Sequence, residues 1–442
     1  MSFSWLASFE GPARPQVSTA FHLSQTHVMN ILVPNLDFEV DLCGRPRQLS
    51  EQATRVIDEL APLIGLLAED GDQVLVNDDA MPAGVAECLA HVAFVRRSEF
   101  SAIAGQHRII PWGWTEQTCQ MASVVQMSAA EIPPATAVTR VNSREFSAMF
   151  DGVQCEHGEL LPFGVDGFGT ICRDIDDWKN GVCQLERFGF ERWVAKPPIS
   201  HAGRNRLLAK GTELNRQQRG WLEKHLARPG GVYLEPWVCP EEQCGLQFEI
   251  ISSNSYSAGT EGRVQLVGVS SLLNDSVGRY QGSLICRDDL LLNAWQSAAA
   301  HGFLVCEAAA AAGYFGPIGI DSFRFRLPDG SLALRMCNDI NARFTMGRLA
   351  LQLRSSLQSS QYGAWCHFAV SDFSRFCDGV KKGLTQPAKE NVSMTVTSPM
   401  AIGEQPTRFG TVLLTGNSQE RLAQEIRLIH DQAAARRHDS LP

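Results

Sequence analysis

Gly319-Ile-Asp-Ser-Phe-Arg-Phe-Arg-Leu-Pro-Asp-Gly-Ser-Leu-Ala-Leu-Arg-Met-Cys-Asn-Asp-Ile-Asn-Ala-Arg343 contains two β-rich runs around Asp329-Gly330, the pattern of a β-hairpin. If Asp329-Gly330-Ser331 forms a three-residue loop, Asp321 and Asp339 stand opposite each other across the ladder. Asn341 and Arg343, two and four residues further on, then share their face. A two-residue loop slips the register by one and sends the two carboxylates to opposite faces. Two carboxylates on one patch repel unless something positive lies between them. Hard divalent cations choose such oxygen ligands and bridge them to substrate phosphates, so Asp321, Asp339 and Asn341 are candidate Mg²⁺ ligands. The competing reading is a solvated sheet face, with Asp321 at a strand start and Asn341 approaching a helix.

Upstream, Arg192-Trp-Val-Ala-Lys196 has strand character and runs into a small, basic loop containing Ser200, Gly203 and Arg204. A lysine at a strand end acts as a point charge on phosphate oxygens, and a Ser/Gly loop exposes backbone N–H groups to them. An ordinary surface loop with solvated cations explains the same residues. The pattern is not the phosphate loop G-x-x-x-x-G-K followed by Ser or Thr. A third run, Tyr233-Leu-Glu235-Pro-Trp237, is a strand ended by proline. Its free backbone groups and Glu235 could meet a purine edge, an amino group or a ribose, while an edge strand with a packed tryptophan is the bland alternative. Gly164, Gly167 and Gly169 fit a loop; no zinc-ligand spacing and no G-x-S-x-G occurs.

The rest of the chain gives these runs a setting. Residues 30–42 predict a short buried strand followed by alternation, and 50–68 an amphipathic helix that Pro62 kinks or splits. Gln73-Val-Leu-Val-Asn77 is a further strand, and the first 110 residues or so suggest a parallel α/β unit. From about 140 to 350 the pattern is α+β with antiparallel hairpins and a helix near 287–312; strands near 393–397 and 410–414 and a terminal helix follow. With 39 Lys plus Arg against 48 Asp plus Glu, the net charge of −9 argues against nucleic acid as a partner, and local cations, backbone N–H groups or bridging metal ions must hold any anionic ligand. The 13 cysteines include no C-x-x-C pair and suggest reduced thiols. The opening residues lack the pattern of a secretory signal and no apolar run is long enough to span a bilayer, so the expected location is cytoplasmic and no membrane partner is expected.

Taken in order, Lys196 with its loop, Glu235, and Asp321 followed by Asp339-x-Asn341-x-Arg343 resemble the ATP-grasp superfamily, which includes biotin carboxylase and D-alanine:D-alanine ligase. The resemblance covers about residues 115–350. It implies a fold class of α/β plus α+β: a pre-ATP-grasp parallel α/β domain over 1–114, then an ATP-grasp domain over 115–355. The latter would comprise two α+β lobes, about 115–230 and 231–355, with 356–442 a C-terminal α/β extension packed on the core. By resemblance, ATP and Mg²⁺ are the cofactors. Arg144, Lys196, Ser200, Gly203 and Arg204 would serve the nucleotide phosphates, Glu235 and Trp237 the adenosine, and Asp321, Asp339 and Asn341 the metal. The chain departs from the family in three places: Asp339 stands where glutamate is usual, Arg144 where a lysine is usual, and Asp321 lies further from Asp339 than in the usual hairpin.

The resemblance further implies a ligase. A small-molecule carboxylate attacks the γ-phosphate, and an amine displaces the acyl phosphate. Arg343 and Asp339 are the candidate catalytic residues, Arg343 stabilising the acyl phosphate and the tetrahedral intermediate. A regulatory ATP/Mg-binding module, an ATP-grasp kinase and a purely structural protein are the alternatives. A homodimer is the default expectation for an oligomer.

Overall fold

The computed structural model describes residues 29–44, 49–103, 105, 107–155, 160–161, 168–199, 205–253, 263–275, 278–287, 290–359, 361–384 and 392–438. The N-terminal part carries strands β1 (Asn30–Val33), β2 (Gln73–Val76), β3 (Pro82–Ala83), β4 (Ala93–Arg96) and β5 (Arg108–Pro111). Four of these form a parallel sheet in the order β4-β2-β1-β5, as the α/β reading expects. Pro62 does divide its helix: Glu51–Leu60 is α-helical and Ala61–Leu67 continues as a 3₁₀ helix. The alternation expected after β1 is instead a turn and a short helix, Phe38–Leu42. Pro34 breaks the run, and the amides of Leu36 and Phe38 bond back to Pro34 and Asn35 in a turn. Phe38 is thereby buried beneath Gly113, where even a Cβ would meet its ring at 2.4 Å.

The next strands are β6 (Val153–Cys155), β7 (Leu160–Leu161), β8 (Thr170–Cys172), β9 (Arg192–Lys196), β10 (Leu207–Lys210) and β11 (Val232–Pro236). Strands β10-β9-β11-β8 form an antiparallel sheet covered by helices Ile175–Arg187 and Arg216–Leu226. Helix Ile175–Arg187 buries Trp178, Val182 and Leu185 on one face, and Asp174 caps it by accepting from the amides of Asp176 and Asp177.

Long strands follow: β12 (Pro240–Ile250), β13 (Val264–Asn274), β14 (Tyr280–Cys286), β15 (Gly316–Arg326) and β16 (Leu332–Asn341), then β17 (Tyr362–Ala369), β18 (Val392–Val396), β19 (Ala401–Ile402), β20 (Gln405–Pro406) and β21 (Phe409–Gly416). All of these but β19 and β20 join β6 and β7 in a ten-stranded antiparallel sheet, β18-β21-β17-β14-β13-β12-β15-β16-β6-β7, while β20-β19-β3 form a small antiparallel sheet of their own. Early strands β6 and β7 flank one end and the C-terminal strands extend the other. The expected helix near 287–312 is interrupted at Trp295, giving Leu290–Ala294 and Gln296–Ala311. Helix Gln296–Ala311 lies so close to the sheet that a Cβ on Gly302 would sit 2.6 Å from the Phe248 ring. One core cluster joins Leu32, Phe38 and Val74 of the N-terminal part to Phe248 and Ile320 of the large sheet. All 13 cysteines are thiols outside any disulfide, and no helix among the described residues is long and apolar enough to cross a membrane.

Candidate functional site

Asp321 and Asp339 do pair across the β15–β16 ladder, with Gly319 opposite Asn341. The reason differs from the expected three-residue loop. The hairpin closes through Leu327 to Ser331, with Arg326 opposite Leu332, and continuing that register would set Asp321 against Cys337. An irregularity between Asp321 and Phe323 lets β16 run from Arg335 to Asp339 while β15 advances only from Phe323 to Asp321, bringing the two aspartates level. The Ser322 hydroxyl donates to the Met336 carbonyl at 2.7 Å inside this irregularity. Burial, and then the charge of Asp339, push the Asp321 carboxyl up to about 7.

That mutual cost suits a divalent cation, and two carboxylates with an amide oxygen are chemically a hard-cation donor set. As the side chains stand, Asn341 donates from Nδ2 to Asp321 Oδ2 at 3.4 Å, while its Oδ1 accepts from Arg343 Nη2 at 3.1 Å. Arg144 Nη2 lies 3.4 Å from Asp339 Oδ2. Among the described residues no three His, Cys, Asp or Glu side chains gather as a metal cluster. The remaining ligands of a cation here would therefore be phosphate oxygens and water, the usual habit of Mg²⁺.

Lys196 ends β9 opposite Tyr233 of β11, and Glu235, two residues along β11, forms an ion pair with its ammonium. Burial lowers the Lys196 pKa, Glu235 opposing the effect. Burial would raise Glu235, but Arg335 and then Lys196 outweigh it and hold the carboxyl down at about 2. Arg335 Nη2 is 2.7 Å from Glu235 Oε2, yet that oxygen accepts no aligned hydrogen bond. The same guanidinium grips Asp151 with Nε at 2.8 Å and Nη2 at 2.6 Å, and donates to Asn338 Oδ1 at 2.8 Å and to the Tyr233 hydroxyl at 3.1 Å. The Glu235 carboxylate is thus engaged by two cations rather than facing an open linker. The Trp237 amide is likewise committed, donating to the Arg192 carbonyl at 2.8 Å, and Arg206 sits 4.8 Å over the Trp237 ring. Ser200, Gly203 and Arg204 lie outside the described residues, as do Gly164 and Gly167.

Arg343 reaches toward the N-terminal part. Its Nε donates to Glu39 Oε1 at 2.7 Å, Nη2 pairs with the same oxygen, Nη1 donates to the Phe344 carbonyl at 2.9 Å, and the Trp112 ring lies 5.7 Å beneath. Asn142 secures the neighbouring backbone, accepting from the Ala342 amide at 2.9 Å. The Arg144 amide bonds to Pro198 O at 2.8 Å, tying this region to the segment after Lys196. The structure thus groups Asp321, Asp339, Asn341, Arg144 and Arg343, and places Lys196 with Glu235. Sequence reading missed Arg335, Asp151, Tyr233 and Glu39. A signal for Arg335 was present: an arginine between Leu334 and Met336, four residues before Asp339, shares the alternation of Asp339 and Asn341.

No protein-family model and no curated protein matches the chain. Solved structures share its fold at low identity. An N5-carboxyaminoimidazole ribonucleotide synthetase in complex with ADP has a TM-score of 0.51 at 12% identity, covering 92% of this chain and 97% of that one. Biotin carboxylase from Campylobacter jejuni has a TM-score of 0.50 at 12% identity, covering 92% and 91%. Pyruvate carboxylase from Rhizobium etli has a TM-score of 0.50 at 11% identity, covering 92% of this chain and 37% of that chain. By architecture, then, the chain shares the fold of these synthetase and carboxylase structures.

Proposed function

We propose that the protein is an ATP-dependent ligase that activates a small-molecule carboxylate as an acyl phosphate, releases ADP, and joins the acyl group to an amine. The observation that carries this reading is the facing pair Asp321 and Asp339, with Lys196 close enough to feel the charge of Asp339 and to act on that of Asp321. It is supported by two proteins of like fold, the synthetase crystallised with ADP and the biotin carboxylase crystallised as a β,γ-ATP complex.

In this reading a carboxylate oxygen attacks the γ-phosphorus, and the bond from that phosphorus to ADP breaks. The amine then attacks the acyl carbon and inorganic phosphate leaves, so no protein nucleophile is required. Lys196 and Arg144, with the loop residues Ser200, Gly203 and Arg204, serve the phosphates. Mg²⁺, when held by Asp321, Asp339 and Asn341, supplies neutralisation of phosphate charge. Arg343 is positioned beside Asn341 to meet the charge that develops on the acyl phosphate, once its contact with Glu39 is exchanged. Glu235 holds the Lys196 ammonium in place.

A second reading, a regulatory nucleotide-binding module, draws on Arg144 already neutralising Asp339. Both are tested by calorimetric titration with ADP, with and without Mg²⁺, on the wild type and Lys196→Ala. Metal-dependent binding weakened about tenfold or more in the variant is expected. Phosphate release with carboxylate and amine pairs then separates ligase from module. No heat and no thermal shift at millimolar ADP, where a micromolar site adds about 4 kcal/mol, refutes both.

A further inference from the structure

We infer that Arg335 is a positioning residue that holds Lys196 in place to serve a nucleotide phosphate, an inference that rests on the nucleotide reading above. Arg335 is 1% exposed, and its cation lies 4.9 Å from the Phe168 ring and 5.6 Å from that of Phe323. In such surroundings its charge is little screened by water. It stands on β16 of the large sheet, while Tyr233 and Glu235 stand on β11 of the four-stranded sheet and Asp151 precedes β6. One guanidinium therefore spans the two sheets that carry the two halves of the candidate site.

Two physical effects follow. The first is positional. Glu235 is approached on one oxygen by Lys196 and on the other by Arg335, so the carboxylate is drawn between two cations and the ammonium paired with it keeps one place. Through Nη1, Arg335 also holds Asn338, the residue bonded to Asp339. The distance from lysine to acidic pair is thus set through one side chain. The second effect is electrostatic. Arg335 with Asp151 and Lys196 with Glu235 make two opposite-charge pairs, so the cluster carries no net charge and no buried ion stands alone. Asp151 and Tyr233 complete the arrangement by fixing the guanidinium fork, the hydroxyl donating to Asp151. An arginine used only to fill the core would not need carboxylates from two sheets.

The test uses the full chain with the paired substitution Asp151→Asn and Arg335→Gln, which removes one charge of each sign and so avoids a lone buried ion. ADP and adenosine dissociation constants are measured by calorimetric competition. The expected result is ADP weakened about tenfold or more, adenosine unchanged, and no further loss when the pair is added to Lys196→Ala. Equal weakening of ADP and adenosine, or losses that add to those of Lys196→Ala, overturns the inference. If the wild type binds no ADP, the nucleotide reading falls by itself. The same set of variants then decides the positioning role of Arg335 by thermal unfolding: non-additive shifts between the pair and Lys196→Ala support it, and additive shifts overturn it.

Discussion

Glu235→Gln isolates one carboxylate whose environment the structure defines on every side. It is 3% exposed, and Arg335 and Lys196 together overcome the cost of burial, drawing its pKa from 4.5 to about 2. That drop corresponds to about 3 kcal/mol of preference for the ionised form in the folded state. The sign is fixed by linkage. The native carboxylate binds a proton less readily than the unfolded one, so its contribution is complete above pH 4.5 and is lost as pH falls through about 2. Glutamine has no such proton, and on the acid side, where Lys196 is protonated in both proteins, the remaining groups titrate alike. The stability gap between wild type and variant should therefore be about 3 kcal/mol near neutrality and close on the acid side, with less than half remaining by about pH 3. Urea unfolding of both proteins at a series of pH values measures it. A gap that stays constant or widens in acid refutes the assignment of Glu235 as the anion shared by Lys196 and Arg335.

Asp339→Asn should remove the Mg²⁺-dependent part of ADP binding while leaving the metal-free part within about a factor of two, because the amide keeps the shape and loses the charge; titrations with and without Mg²⁺ check this. Gly302→Ala should destabilise the protein by about 1–3 kcal/mol, since the new methyl would sit 2.6 Å from the Phe248 ring and neither helix nor sheet can yield cheaply. A thermal melt unchanged by that substitution would contradict the packing described.

Much of the architecture could be read before folding because it rests on local pattern. The short apolar runs at 31–33 and 74–76 are buried in a parallel sheet, and Pro62 marks its helix boundary by chemistry that acts within one turn. The pairing of Asp321 with Asp339 was reached through the wrong loop. Alternation preserved the correct face, but the irregularity beside Ser322 that sets the register depends on packing between strands and leaves no local mark. The turn at Pro34 was overridden in the reading by alternating apolar residues, when Phe38 was in fact needed beneath Gly113. Arg335 was hidden for a different reason. Its partners Asp151, Glu235 and Tyr233 come from distant parts of the chain, and a buried arginine means little until they are assembled.

The large sheet has a consequence for any shortened form of the protein. Strand β17 is hydrogen-bonded to β14 on one side and β21 on the other, and Trp365, Cys366 and Phe368 within it are buried. Cutting the chain after residue 355 would leave every paired N–H and C=O on that side of β14 without a partner, an adhesive border of the sort that recruits strands from other molecules. The C-terminal strands thus act as a selvedge, keeping the sheet from unravelling into self-association.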